Sequence, residues 1–130
     1  MTSRSFALGA LAFAAAAGCA PSREAVEAGE AALHADTAVA AAVDSPLRGE
    51  SNRARDAWRR PRETLGFFGV EPDDTIVEIW PGGGWYTEIL APLVRERGRY
   101  VAAGNGGVLG GARALAARDP AAFGHIGYAA

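Results

Sequence analysis

The stretch that most constrains this chain runs from Thr75 to Ala103. Thr75-Ile76-Val77-Glu78-Ile79-Trp80 is rich in β-formers and mostly apolar, which suits a central, buried strand. Pro81-Gly82-Gly83-Gly84 then makes a tight loop, and Trp85 to Arg97 reads as a helix adjusted around Pro92 and closed by Gly98. Arg99-Tyr100-Val101-Ala102-Ala103 is a second strand. Strand, loop, helix and strand in that order form a βαβ unit, which places the glycine loop at the carboxyl end of the first strand. Glycines there permit positive φ and a close approach of backbone to a ligand. The helix that follows offers unpaired N–H groups to an anion. An acid in an otherwise apolar strand is costly unless its charge is paired or its lone pairs are used, which makes Glu78 the first candidate for a ligand contact.

The flanking segments are expected to be helical. Ser22 to Val43 is Ala-rich with scattered Glu, and Ser22 is placed to cap it. Asp44-Ser45-Pro46 ends that helix. A short helix over Asn52 to Arg59, capped by Ser51, and another from Pro61 through Phe68 follow. Leu65, Phe67 and Phe68 are the expected apolar anchors of the latter, and Gly69 its C-cap. The arginines at 48, 53, 55, 59, 60 and 62 read as a solvated face with local ion pairs to Asp56 and Glu63. After the second strand come a glycine-rich loop over Gly104 to Gly111, a short helix near Ala112 to Arg118, a stop at Asp119-Pro120, and the start of a third strand at His125 to Tyr128. His34 and His125 have no ligand or base partners nearby in sequence and read as surface or structural residues.

The amino-terminal end is of another kind. Arg4 precedes an apolar run from Phe6 to Gly18, the pattern of a secretory leader and too short for a stable membrane span. Ala16-Ala17-Gly18-Cys19 resembles the lipobox of bacterial lipoproteins. That resemblance implies cleavage before Cys19, lipidation of its thiol, and a place on the periplasmic side of a bacterial membrane. The single Cys excludes an intrachain disulfide framework and a Cys-rich zinc site. A net charge of −2 excludes a nucleic-acid binder driven by bulk charge. The expected organisation is a signal peptide over residues 1–18, an Ala-rich helical tether over 19–50, and one α/β domain over 51–130.

Val77-Glu78-Ile79-Trp80-Pro81-Gly82-Gly83-Gly84-Trp85-Tyr86-Thr87 resembles the first motif of class I S-adenosylmethionine-dependent methyltransferases. With Arg53-Ala54-Arg55-Asp56, Arg60-Pro61 and Leu65 to Pro72 upstream, it is similar to an exported bacterial group of predicted methyltransferases with a Pro-Gly-Gly-Gly-Trp-Tyr-Thr loop. The resemblance implies a partial Rossmann-like methyltransferase fold, its amino-terminal βαβ portion of about three parallel strands, preceded by helices. It implies S-adenosylmethionine as cofactor, with Glu78 near the methionine amine and Gly82, Gly83 and Gly84 passing beneath. Trp80, Pro81, Tyr86 and Asn105 complete the expected contacts; no catalytic residue and no metal ligand are assigned.

Three departures set this chain apart from that family. Trp80 stands where the family has its first glycine. The second strand ends Ala103-Gly104-Asn105, without the acid that holds the ribose hydroxyls, which leaves Asn105 as the contact there. The later substrate-positioning motif is absent, so the domain reads as truncated. The leading expectation is therefore methyl transfer to an unknown acceptor by an exported, lipid-anchored protein. The alternative is a non-catalytic lipoprotein or fragment that keeps the half-site, and a further one is an envelope module that binds through its Arg-rich stretch.

Overall fold

The computed structural model describes residues 22–130, so the leader, the lipobox and the Cys19 lipidation site lie outside the described residues. Helix α1 (Arg23–Val43) begins where Ser22 accepts a hydrogen bond from the Ala25 N–H at 3.2 Å, which satisfies one of the free donors of the first turn. Only its carboxyl end is buried, through Val39, Ala42 and Val43. Two single-turn helices follow, α2 (Glu50–Arg53) and α3 (Asp56–Arg59), in place of the one helix expected over 52–59. Arg60 then takes a left-handed conformation (φ 43), and Pro61 starts α4 (Pro61–Phe67). Pro61 suits that place because its fixed φ is helical and it has no N–H to leave unpaired.

The core is a three-stranded, all-parallel sheet in the order β1 (Thr75–Ile79), β2 (Arg99–Ala103), β3 (Gly127–Ala129). Helix α5 (Thr87–Val94) joins β1 to β2. A 3-10 turn (Gly106–Leu109), α6 (Gly110–Arg118) and α7 (Pro120–Phe123) join β2 to β3. The chain is thus of mixed α/β class with a parallel sheet. Fully buried Ile89, Ala91 and Val94 of α5 pack with Tyr100 and Ala102 of β2 and Phe123 of α7. Each large apolar side chain so enclosed contributes about 1.5–3 kcal/mol. Helices α1 and α4 form the layer beyond, with α1 against both α4 and α5.

Two expectations are corrected here. Among the described residues β1 is an edge strand rather than a central one, since β2 alone pairs with it there. Its residues alternate, with Ile76 and Glu78 turned towards α5 while Val77 and Ile79 stand 55% and 75% exposed on the opposite face. Among the described residues the sheet is therefore covered by helices on one face. Phe67 and Phe68 are the second correction. Leu65 is 4% exposed and anchors α4, but the two phenylalanines are 84% and 71% exposed and stack edge-on against each other. Leu65 and Phe67 are two residues apart, about 200° around a helix, so they cannot share a face.

The Arg-rich segment is not uniformly a solvated face. Arg48 is 2% exposed; it donates to the Val43 carbonyl at 2.7 Å and to both carboxylate oxygens of Asp56 at 2.6 and 2.7 Å. Its Nε is buried without a hydrogen-bond partner among the described residues. Arg62 pairs with Asp44, not with Glu63. No helix of the described residues is long and apolar enough to cross a membrane.

A candidate ligand shelf at the glycine loop

Backbone hydrogen bonds tie the carboxyl ends of the three strands together. The Trp80 N–H donates to the Ala103 carbonyl at 2.8 Å, and Gly104 N–H donates to the Ala129 carbonyl at 2.9 Å. Above this rim the chain turns through Trp80, Pro81 and the three glycines, with positive φ at Trp80 (59), Gly82 (55) and Gly84 (81). A tryptophan is seldom found in the left-handed region, because its Cβ crowds the following carbonyl. The loop is docked against the segment after β2. The Gly82 N–H donates to the Val108 carbonyl at 3.0 Å, and Gly111 N–H donates to the Gly82 carbonyl at 3.1 Å.

Gly111 is what permits that contact. A Cβ on it would lie 2.2 Å from the Gly82 oxygen and 2.6 Å from the Gly83 carbonyl carbon. Sequence reasoning treated the glycines between 104 and 111 as loop formers and missed this one as a close-approach residue. The doublet Gly110-Gly111 at a helix start was the available signal, since a helix gains nothing from two glycines unless something lies against them.

Glu78 is held from one side. Thr87 Oγ1 donates to its Oε2 at 3.0 Å, and the Tyr100 hydroxyl donates to the same oxygen. Tyr100 and Thr87 are themselves 3.0 Å apart and fully buried. The other oxygen, Oε1, makes no hydrogen bond among the described residues and is not sealed from solvent. Burial pushes the Glu78 carboxyl above its ordinary value of 4.5, and the two hydroxyls only partly oppose that. Burial and the adjacent Glu78 carboxylate push Tyr100 upward as well, so it stays a neutral donor. Neither Thr87 nor Tyr100 was expected to orient Glu78. They sit nine and 22 positions away, a spacing that carries no local signature.

These shifts give a stability signal with a definite sign. The folded protein keeps the Glu78 proton to higher pH than the unfolded chain, so this group favours folding at low pH and loses that contribution as pH rises through its raised value. Glu78→Gln keeps an acceptor for both hydroxyls and abolishes the titration. The wild-type stability relative to Glu78→Gln is expected to fall as pH rises above the ordinary carboxyl value of 4.5. Parallel urea denaturation curves for the two proteins would check it, and a difference constant or rising with pH would refute the assignment.

The remaining expected site residues divide. Pro81 and Gly84 are buried, Gly82 and Gly83 are exposed, Tyr86 is half-buried, and Asn105 is exposed on the neighbouring loop. Trp80 is 67% exposed at the rim. Trp85 packs instead as a core residue. Its indole N–H donates to the Asn52 carbonyl at 2.8 Å, and the guanidinium groups of Arg48 and Arg59 lie 5.5 and 4.8 Å from its ring centre. Glu88, one residue into α5 from Thr87, was also overlooked. It is 3% exposed and accepts from the Gly49 N–H and the Asn52 amide, both at 3.0 Å, thereby tying α2 to α5.

Trp80, Gly82, Gly83 and Asn105 are exposed around the carboxyl ends of β1 and β2, and we refer to this surface, with Glu78 at the end of β1, as the shelf. Defined hollows occur elsewhere on the surface. One of about 470 Å³ runs between α1 and α5, lined by His34, Ala38, Pro92 and Leu93 among others. Among the described residues, no three His, Cys, Asp or Glu side chains converge as metal ligands. His125 faces the Ala91 carbonyl at 2.9 Å and stands outside the shelf. Comparisons with protein-family models, with curated proteins and with solved structures find no match to this chain.

Proposed function

We propose that this chain carries the S-adenosylmethionine half-site of a Rossmann-like methyltransferase, with an acceptor not identified by its own residues. One observation carries the reading. The acid near the end of β1 is held through one oxygen by Thr87 and Tyr100, its other oxygen makes no hydrogen bond among the described residues, and the strand runs on into a glycine loop of positive φ. A carboxylate so oriented can take the ammonium group of a bound amino acid, and charge-assisted contacts of this kind are stronger than neutral ones. Gly82 and Gly83, exposed and without side chains, let a ligand approach the backbone. In methyl transfer the protein's work is largely alignment of donor and acceptor. The proposed setting is the periplasmic side of a bacterial membrane, with a lipid anchor at Cys19.

Calorimetric titration of the full-length protein with S-adenosylmethionine tests this. Saturable binding is expected, weakened about tenfold or more by Glu78→Ala, a loss of roughly 1.4 kcal/mol or more, and less by Glu78→Gln. Because Glu78→Ala also strips two buried hydroxyls of their acceptor, its thermal unfolding is recorded alongside. No binding by the wild type, or equal affinity in folded Glu78→Ala, would remove the reading.

A second reading is favoured by the exposed outer face of β1. Val77 and Ile79 are uncovered, whereas parallel sheets are usually covered on both faces. A half-site that binds without transferring would result. Labelled S-adenosylmethionine that binds but gives up no methyl group to envelope extracts would select it.

A further inference from the structure

We propose that the Trp80 indole is a stacking platform for a purine nucleoside, and that the shelf recognises its ligand by the base rather than by the sugar. The inference rests on the reading of the shelf as a cofactor site and goes on to say which part of the ligand is gripped. Trp80 takes a backbone conformation that bulky residues rarely adopt, and such outliers persist where the surroundings over-determine them. The surroundings do so here, since its N–H is fixed to β2 and the next turn to Val108.

The ring has a seat made for it. A Cβ on Gly104 would come 3.1 Å from Trp80 Cδ1, 3.6 Å from its Nε1, and 2.7 Å from Val108 Cγ2. A side chain at that place would press on the Cδ1 and Nε1 edge of the indole, so glycine lets that edge rest against the Gly104 backbone. The residue nevertheless remains 67% exposed. Beyond it the loop is open, with no atom within 4 Å of a Cβ placed on Gly106 or Gly107, and Asn105 exposed beside them. An indole held at one edge and otherwise exposed has free π-surface on which a planar base can stack. Ala103-Gly104-Asn105 offers a ribose diol an amide in place of a carboxylate, a weaker partner, so most of the grip falls to the base.

Adenosine and 2′-deoxyadenosine are the probes, titrated into the full-length protein by calorimetry. Both are expected to bind saturably, with affinities within about threefold of each other, because stacking does not read the 2′-hydroxyl. Trp80→Gly removes the ring and relieves the left-handed backbone, so binding should weaken about tenfold or more with no fall in melting temperature. Trp80→Phe should retain most of the affinity. Unchanged adenosine binding in Trp80→Gly, or none to the wild type, overturns the proposal, as does a strong preference for the ribose form. S-adenosylmethionine titrated into the same proteins separates the two claims. Equal binding to wild type and Trp80→Gly overturns the platform and leaves the cofactor site standing. Adenosine bound through Trp80 without S-adenosylmethionine binding upholds the platform and removes the cofactor.

Discussion

Gly111→Ala is expected to destabilise the protein by about 2 kcal/mol or more, whereas Gly110→Ala, one residue earlier, is expected to stabilise it by about 0.5–1 kcal/mol. In a free helix both changes would help, since alanine is the better helix former. Both residues belong to α6, and a Cβ on Gly110 meets nothing within 4 Å. On Gly111 it would press into the backbone of Gly82, Gly83 and Gly84 at 2.2 to 2.8 Å, where no side chain can turn aside. Either α6 or the glycine loop must move, and the Gly111–Gly82 hydrogen bond goes with it. The clash outweighs the propensity gain. Urea denaturation of the two variants measures this, and stabilisation of both by the same amount would show that the loop and α6 are not in contact. Gly111→Ala should also weaken any ligand bound on the loop, whereas Gly110→Ala should not.

Arg48→Ala should cost about 3 kcal/mol or more, against well under 1 kcal/mol for Arg53→Ala or Arg55→Ala in the same Arg-rich segment. Arg48 has a side chain with no exposed area, and its loss leaves the Asp56 carboxylate, only 24% exposed, without its bidentate partner. It also leaves the Val43 carbonyl unsatisfied and removes a cation from the face of Trp85. Removing one member of a buried pair costs far more than the pair contributes, because the other charge stays behind unsolvated. Asp56→Asn should cost less, since an amide oxygen still accepts. Thermal unfolding of the four variants would test the order; an Arg48→Ala protein as stable as Arg53→Ala would mean that the Arg48–Asp56 pair is dispensable.

Both results bear on the shelf. Arg48, Asp56, Asn52 and Glu88 fasten α2 and α3 to Trp85 and to the first turn of α5, directly after the glycine loop. Tyr100 and Thr87 set Glu78 from β2 and from that same helix start. The shelf is thus held by long-range contacts from three directions, while its outer surface stays open.

The amino-acid sequence by itself determined the elements whose causes are local. Ser22 caps α1, Pro61 starts α4, β2 covers Arg99–Ala103, and the glycine loop follows β1, because capping, proline geometry, β-propensity and positive φ are properties of a few adjacent residues. The tertiary structure alone decided what depends on partners distant in the chain. It made β1 an edge with Val77 and Ile79 uncovered, turned Phe67 and Phe68 outward, buried Arg48, and brought Tyr100 and Thr87 onto Glu78. A run of apolar residues reads the same whether a neighbouring strand covers it or not, and an arginine reads the same whether water or a carboxylate surrounds it. Only the packing of distant segments chooses between those environments, and it also gave Gly111 a role that its place at a helix start does not convey.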